Sequence, residues 1–204
     1  RLRHFVSIDH AYFSVKNKKA KLLSLNIVKI GIIGSVSDDP GRGFDNILKV
    51  SKIFADQKNV ELSIISKIKP DLINKLPNTV KVYSKNNEYL PRDKYDRLIE
   101  ELDYIFIPYS ADSFKFAASG AVLEAIFKKK PVLMYSNHYF NYLDRKLGHF
   151  GYFLDKGAFN WRKLKDKTQY ALFSQHIEDI IEQLSPEYIV TQYRRIIDSF
   201  KSFS

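Results

Sequence analysis

One carboxylate stands alone in the run FAASGAVLEAIF, residues 116 to 127, where Glu124 is the sole ionisable group. It follows a Ser-Gly pair, Ser119 and Gly120, and precedes an apolar run, PVLMYS. Ser119 suits the N-cap of a helix, and Gly120 leaves the first-turn amides open to an approaching anion. Gly120 and Glu124 are four residues apart, on one helix face and about one turn from each other. An anion held by those amides would bring an attached ribose within reach of the carboxylate, whose two oxygens match the two hydroxyls of a ribose diol. The competing reading has Glu124 facing solvent or paired with a nearby lysine, because a buried, unpaired carboxylate is costly.

A second stretch suits phosphate. GSVSDDPGRGFDN, residues 34 to 46, links an apolar run to a helical pattern. Gly34, Gly41 and Gly43 permit close backbone approach, and Arg42 sets a guanidinium beside the helix start. The stretch is neither GxGxxG nor a GxxxxGK[ST] loop, so neither fingerprint applies. A Gly/Pro-rich turn with a solvated arginine is the plain alternative. Asp38 and Asp39 read as turn residues, not a metal pair, and His4, His10, His149 and His176 show no metal-ligand spacing. His138, in SNHYFNYL after an apolar run, also stands at the ligand edge, with a plain histidine in a polar loop as the alternative. Tyr109, Ser110, Ser113 and Lys115 follow an apolar run and stand where a phosphate or sugar could be touched. Tyr109 closing a buried strand and Lys115 as a solvated charge are the alternatives. The aromatics of HYFNYLDRKLGHFGYF are expected to pack a helix and strand rather than to form a binding platform.

These residues need a frame. Six runs read as strands: NIVKIGIIG (26–34), VELSIIS (60–66), TVKVYS (79–84), DYIFIPY (103–109), PVLMYS (131–136) and GYFLD (151–155). Several are continuously apolar, as strands covered on both faces must be. Between them FDNILKVSKIFAD carries Phe44, Ile47, Leu48 and Phe54 on a common stripe, and PRDKYDRLIEEL buries Tyr95, Leu98, Ile99 and Leu102, with Pro91 in its first turn. Strand alternating with helix implies an α/β fold with a doubly wound, mainly parallel six-stranded Rossmann-like sheet. In such a sheet, ligands sit outside the carboxyl ends of the strands, where both stretches above fall. Helices around 170–184 and 186–202 close the chain. The expected organisation is a linker or remnant over 1–25, one α/β domain over 26–168, and carboxyl-terminal helices packed on it over 169–204.

Composition narrows the setting. The 204 residues include no cysteine, which excludes disulfides and thiolate metal sites and favours a reducing, cytoplasmic location. No apolar run approaches the roughly 18–20 residues of a membrane span, and no signal-peptide pattern opens the chain. The formal net charge of +10 favours acidic partners. The clusters KNKKAK and KKK lack the interleaved aromatics of a single-strand binding surface, so nucleic acid is not expected. Solvated lysines are the plain reading of the charge, with a peripheral membrane surface as the further one. The first residue is Arg, so an amino-terminal part is expected to be missing.

LDYIFIPYSADS…ASGAVLEAIFKKKPVLMYS resembles the "aDv.v.PS…llEA…GkPVi" stretch of GT-B-fold glycosyltransferases, and KIGIIGSVSDDPGRGFDNILKV is similar to their "GR…KG.d.lI.A" stretch. VSIDHAYF, residues 6 to 13, is similar to the family's interdomain "ipnGvd…F" segment. The resemblance covers most of the chain and implies the carboxyl-terminal, donor-binding half of that architecture, with an amino-terminal acceptor domain missing. It implies that Glu124 matches the second acid of the retaining E-x7-E motif, the ribose contact. Ser119 and Gly120 match the helix start under the donor diphosphate, Arg42 the diphosphate cation, and Gly34 the glycine ending the first strand. Ser35, Gly43 and Tyr109 complete the implied binding set, with Arg42 and Glu124 its catalytic members. The implied donor is a UDP- or GDP-linked sugar, used without a metal or other cofactor. The implied setting is polysaccharide or glycolipid synthesis in a bacterial cytoplasm, at the inner face of the membrane. Three positions depart from the pattern: Phe116 replaces the first acid, Ser35 stands where Arg is frequent, and Lys130 replaces the glycine before the PV strand. These departures leave the sugar and the anomeric outcome open. A nucleotide-sugar epimerase of similar fold and a non-catalytic α/β interaction module are the other readings.

Overall fold

Alternation along short apolar strands divides the core into two layers. The computed structural model describes residues 21–24, 26–84, 86–113, 119–157 and 159–201. The elements run β1 (Val28–Ile32), β2 (Ser35–Val36), α1 (Phe44–Ala55), β3 (Val60–Ile64), β4 (Lys67–Ile68), α2 (Pro70–Ile73), β5 (Lys81–Val82), α3 (Arg92–Glu101), β6 (Tyr104–Ile107), α4 (Gly120–Phe127), β7 (Val132–Met134), α5 (His138–Leu147), β8 (Gly151–Phe153), a 3-10 turn (Trp161–Lys165), α6 (Lys167–Gln183) and α7 (Pro186–Lys201). Val28, Ile30 and Ile32 of β1 join Tyr104 and Phe106 of β6 and Leu133 of β7 in one layer. Ile105 and Ile107 of β6 join Val132 and Met134 of β7 in the other. That is the two-residue period of a sheet covered on both faces. Helix α1 covers the first layer through Phe44, Ile47, Val50 and Phe54. Helices α3, α4 and α5 cover the second. Helix α6 serves both, with Tyr170 in the first layer and Ile177 and Ile180 in the second.

The six expected strands form one sheet in the order β5-β3-β1-β6-β7-β8, every neighbouring pair parallel. The chain winds outward from β1 in one direction, then returns to start again at β6. The reversal of strand order therefore falls between β1 and β6, and a crevice opens above their carboxyl ends. A small parallel ladder, Ser35 with Lys67 and Val36 with Ile68, continues β1 and β3 upward on this side. Pro91 stands at the N-cap of α3 rather than inside its first turn. The aromatic expectation holds, since Phe140 and Phe150 are fully buried and Tyr139, Tyr142 and Phe153 pack against them.

The opposite rim carries a buried charge cluster. Asp103 is fully buried; its Oδ2 accepts the Lys29 N–H at 2.8 Å and its Oδ1 meets the Lys21 ammonium at 2.8 Å. Leu23 packs into the first layer, so residues 21–24, at the end of the expected linker, seat on the sheet. The KKK run is divided three ways. Lys128 pairs with Asp96 of α3 at 2.6 Å and Lys129 with Glu178 of α6 at 2.7 Å. Lys130, 4% exposed, donates to the carbonyls of Glu100 and Leu102 at 2.8 and 2.7 Å. Lys130 thus caps the carboxyl end of α3, where a cation is favoured. A run that reads as a solvated basic patch instead joins α4 to its neighbours. The segment VSIDHAYF, Lys115 and Phe116 lie outside the described residues.

Candidate functional site

Two loops meet above the crevice, one after β1 and one after β6. Gly34 lies two residues past the end of β1 with φ of +90°, a conformation that disfavours any side chain. A Cβ placed there would come 3.2 Å from the Tyr109 hydroxyl and 3.5 Å from the Ala121 Cβ. The end of β1, the end of β6 and the first turn of α4 therefore converge on one spot. Gly43, the N-cap of α1, has φ of +77°, and a Cβ on it would fall 1.9 Å from the Pro108 carbonyl oxygen. Only glycine lets α1 start beneath the end of β6. Asn46 reinforces the junction by donating to the same carbonyl at 2.8 Å.

The two loops are fastened together. The Ser110 amide donates to the Gly41 carbonyl at 3.2 Å, and the Ser113 hydroxyl donates to the same oxygen. Pro40, Gly41, Arg42, Ser110, Asp112 and Ser113 line an open pocket of about 470 Å³. Arg42 stands at its wall, with its charge beside the Tyr109 hydroxyl. Burial pushes the Tyr109 phenol above its usual pKa, and the Arg42 charge partly offsets that rise. Tyr109 is 5% exposed and its ring lies 6.4 Å from that of Phe140, so the hydroxyl is a fixed support for the guanidinium. Ser35 opens β2, one residue past Gly34. Asp38 pairs with Lys69 at 3.0 Å and Asp39 accepts from the Ser37 hydroxyl at 2.7 Å, consistent with turn chemistry.

Helix α4 supplies the other wall. Ser119 is its N-cap, fully buried, and its hydroxyl accepts the Val122 amide at 3.4 Å. Gly120 is exposed, and a Cβ there would meet no atom within 4 Å. Among the described residues, nothing packs against that side of the helix start. Glu124 lies one turn on, its side chain 22% exposed. Its Oε2 accepts the Tyr95 hydroxyl at 3.0 Å, and its Oε1 lies 3.6 Å from Nη1 of Arg92. Tyr95 and Arg92 thus join the candidate set. The sequence places Tyr95 on a buried helix face but cannot reveal its partner, because the contact depends on α3 lying beside α4.

Gly34, Arg42, Gly43, Tyr109, Ser119 and Gly120 are thereby assembled round the switch point, with Glu124 on the flank of α4 that faces α3. Open amides, a helix amino terminus and a guanidinium suit an anion. Among the described residues no group of three His, Asp or Glu side chains is placed to hold a metal ion. No described helix is long and apolar enough to cross a membrane.

The class defined by this fold and site is an open α/β sheet with a crevice at its switch point, lined by groups that suit an anion. No protein-family model matches the sequence, and no curated protein matches it significantly. Solved structures of glycosyltransferases share the fold. TarM is similar with a TM-score of 0.60 at 18% identity, over 94% of this chain and 37% of that one. SnogD from Streptomyces nogalater is similar with a TM-score of 0.53 at 18% identity, over 92% of this chain and 50% of that one. HepE from Anabaena, solved with UDP-glucose, gives 0.51 at 16% identity, over 87% and 49%. The fold is that of GT-B glycosyltransferases, consistent with their carboxyl-terminal domain. The chain spans about 37 to 50% of the length of these structures.

Proposed function

We propose that this chain binds a nucleoside diphosphate sugar and forms the donor half of a glycosyltransferase. The diphosphate lies over the first turn of α4, between the loops carrying Gly34 and Gly43, with Arg42 as its cation. Glu124 takes the ribose. The observation that carries the reading is the convergence of Gly34, Tyr109 and Ala121 at the strand-order reversal, beside an open helix terminus. Two proteins of similar fold support the ligand class: HepE was solved with UDP-glucose, and TarM (TM-score 0.57) with UDP.

The chemistry follows from charge. As a glycosidic bond to phosphate breaks, negative charge grows on the departing diphosphate. Arg42 and the amides of α4 are fixed where that charge develops, so they favour the transition state over the ground state without a metal. Groups that engage the acceptor come, in this reading, from an amino-terminal domain of a longer protein. This chain alone is then expected to bind a UDP- or GDP-linked donor and to transfer nothing. The acceptor class is polysaccharide or glycolipid, met at the inner face of a membrane.

Titration calorimetry with UDP and GDP tests the reading. One of them binds, and Arg42→Ala weakens it. If no nucleoside diphosphate binds, the reading is wrong and a non-catalytic interaction module, in which Glu124 merely ties α3 to α4, takes its place. Conversion of a nucleotide sugar by a longer chain without any acceptor would favour an epimerase.

A further inference from the structure

We infer that Tyr95 is the positioning residue for ribose recognition: its hydroxyl holds Oε2 of Glu124 so that Oε1 is presented to a ribose hydroxyl. This rests on the nucleotide reading above and assigns a role to a residue on a different helix.

Glu124 has three potential partners nearby; one cation is diverted and the other is shared. Lys128 is four residues further along α4, the spacing at which a glutamate and a lysine pair on one helix. It turns instead to Asp96 Oδ1 at 2.6 Å. Arg92 is the second cation, and its Nε donates to Asp96 Oδ2 at 2.9 Å. Its Nη1 remains 3.6 Å from Glu124 Oε1, beyond hydrogen-bond length. Asp96 therefore takes Lys128 outright and shares Arg92 with Glu124, which keeps only the longer of the two Arg92 contacts. Among the described residues, the hydrogen bond to the Glu124 carboxylate comes from a neutral phenol.

That choice of partner has consequences. An ammonium in direct contact would neutralise the carboxylate, whereas the phenol fixes its orientation and the longer Arg92 contact offsets its charge only in part, leaving Oε1 able to accept a charge-assisted bond from the next donor. Burial and the neighbouring Glu124 charge hold the Tyr95 pKa well above its usual value, so the hydroxyl stays a donor throughout the physiological range. The tyrosine is itself fixed, packed against the second core layer with Leu98 and Leu90 and faced by the Arg92 guanidinium 5.5 Å from its ring centre. Holding one oxygen removes rotamer freedom that binding would otherwise have to remove. It also revises the simplest expectation for the diol: Oε2 is already engaged, so the ribose meets chiefly Oε1.

The test compares UDP with 2′-deoxy- and 3′-deoxy-UDP, or the guanosine set if GDP binds, on the 204-residue chain. Wild type prefers the ribose over at least one deoxy form by about tenfold, the worth of a hydrogen bond to a charged group. Glu124→Gln loses most of that preference. Tyr95→Phe loses several-fold of it by weakening the ribonucleotide while the deoxy affinity holds. Leu98→Ala loosens the same helix without touching the hydroxyl; it lowers the unfolding midpoint and leaves the preference intact. If Tyr95→Phe weakens ribo and deoxy forms equally, as a merely structural tyrosine would, the inference is overturned and the nucleotide reading survives. If Glu124→Gln keeps the preference, the inference is likewise overturned. If wild type binds no nucleoside diphosphate, the nucleotide reading itself fails and takes the inference with it.

Discussion

The charge of Arg42, in the loop after β1, stands beside the hydroxyl of Tyr109 at the end of β6 and partly offsets the rise that burial imposes on that phenol's pKa. Tyr109 is almost wholly buried and Gly34 leaves room for its hydroxyl, so a mobile side chain is braced on a rigid one. Bracing lowers the ordering cost of binding an anion. Arg42→Ala is expected to weaken the bound nucleoside diphosphate by about tenfold to a hundredfold, as loss of a charge-assisted hydrogen bond does. Tyr109→Phe keeps the ring beside Phe140 and is expected to cost only a few-fold. Calorimetry on the two variants checks the order; equal affinities across all three proteins would remove Arg42 from the site.

Gly120 offers a cleaner probe of the α4 terminus. Since a Cβ there would meet no atom, Gly120→Ala leaves the fold intact. Alanine in a helix is favoured over glycine by about 1 kcal/mol, so the unfolding midpoint stays or rises slightly. Any methyl over the first turn nevertheless intrudes where an anion approaches the amides. Diphosphate affinity is therefore expected to fall by about tenfold while stability does not. Unchanged affinity would place the ligand elsewhere.

Gly43 predicts the reverse pattern. An added methyl would sit 1.9 Å from the Pro108 carbonyl, on a backbone with φ of +77°. Gly43→Ala must either shift α1 or strain the turn, a loss of at least about 2 kcal/mol. Urea unfolding monitored at Trp161, whose ring lies 4.6 Å from that of Phe54 in α1, reports the shift. Wild-type stability in this variant would contradict the seating of α1 beneath β6.

Much of this was legible before the structure. Continuous apolar runs gave away the six strands of the sheet, and capping chemistry located the start of α4 at Ser119. Strands β2 and β4 are two residues each and α2 is four, too short for any period to register. The lysines of KKK look alike in sequence, yet the tight turn at Lys129, with φ of +56°, sends the three in different directions. Glu124 could be singled out by its isolation, but its partner could not: Tyr95 is 29 positions away and reaches it through helix packing alone. Local rules foresee local contacts; contacts across elements wait for the topology.

Lys130 yields the last prediction, because its burial leaves a mark on pH dependence. Desolvation, reinforced by Lys21 and partly offset by Asp103, lowers its pKa from 10.5 to about 8. The unfolded chain therefore binds the proton more tightly than the folded one. Between pH 8 and 10.5 the unfolded state carries more protons at this position, and stability rises with pH. Below that window the cost of burying the charge is felt in full. Lys130→Met removes the titrating group while filling a similar volume, though it leaves the Glu100 and Leu102 carbonyls without their donor. Relative to this variant, wild type is expected to gain about 1–2 kcal/mol between pH 7.5 and pH 9.5, measured by urea unfolding. Staying below pH 10 avoids the ionisation of unfolded tyrosines, which opposes the effect. A difference between the two proteins that does not change with pH would show that Lys130 keeps its ordinary pKa in the fold, and that its ammonium is better hydrated at the α3 terminus than its 4% exposure implies.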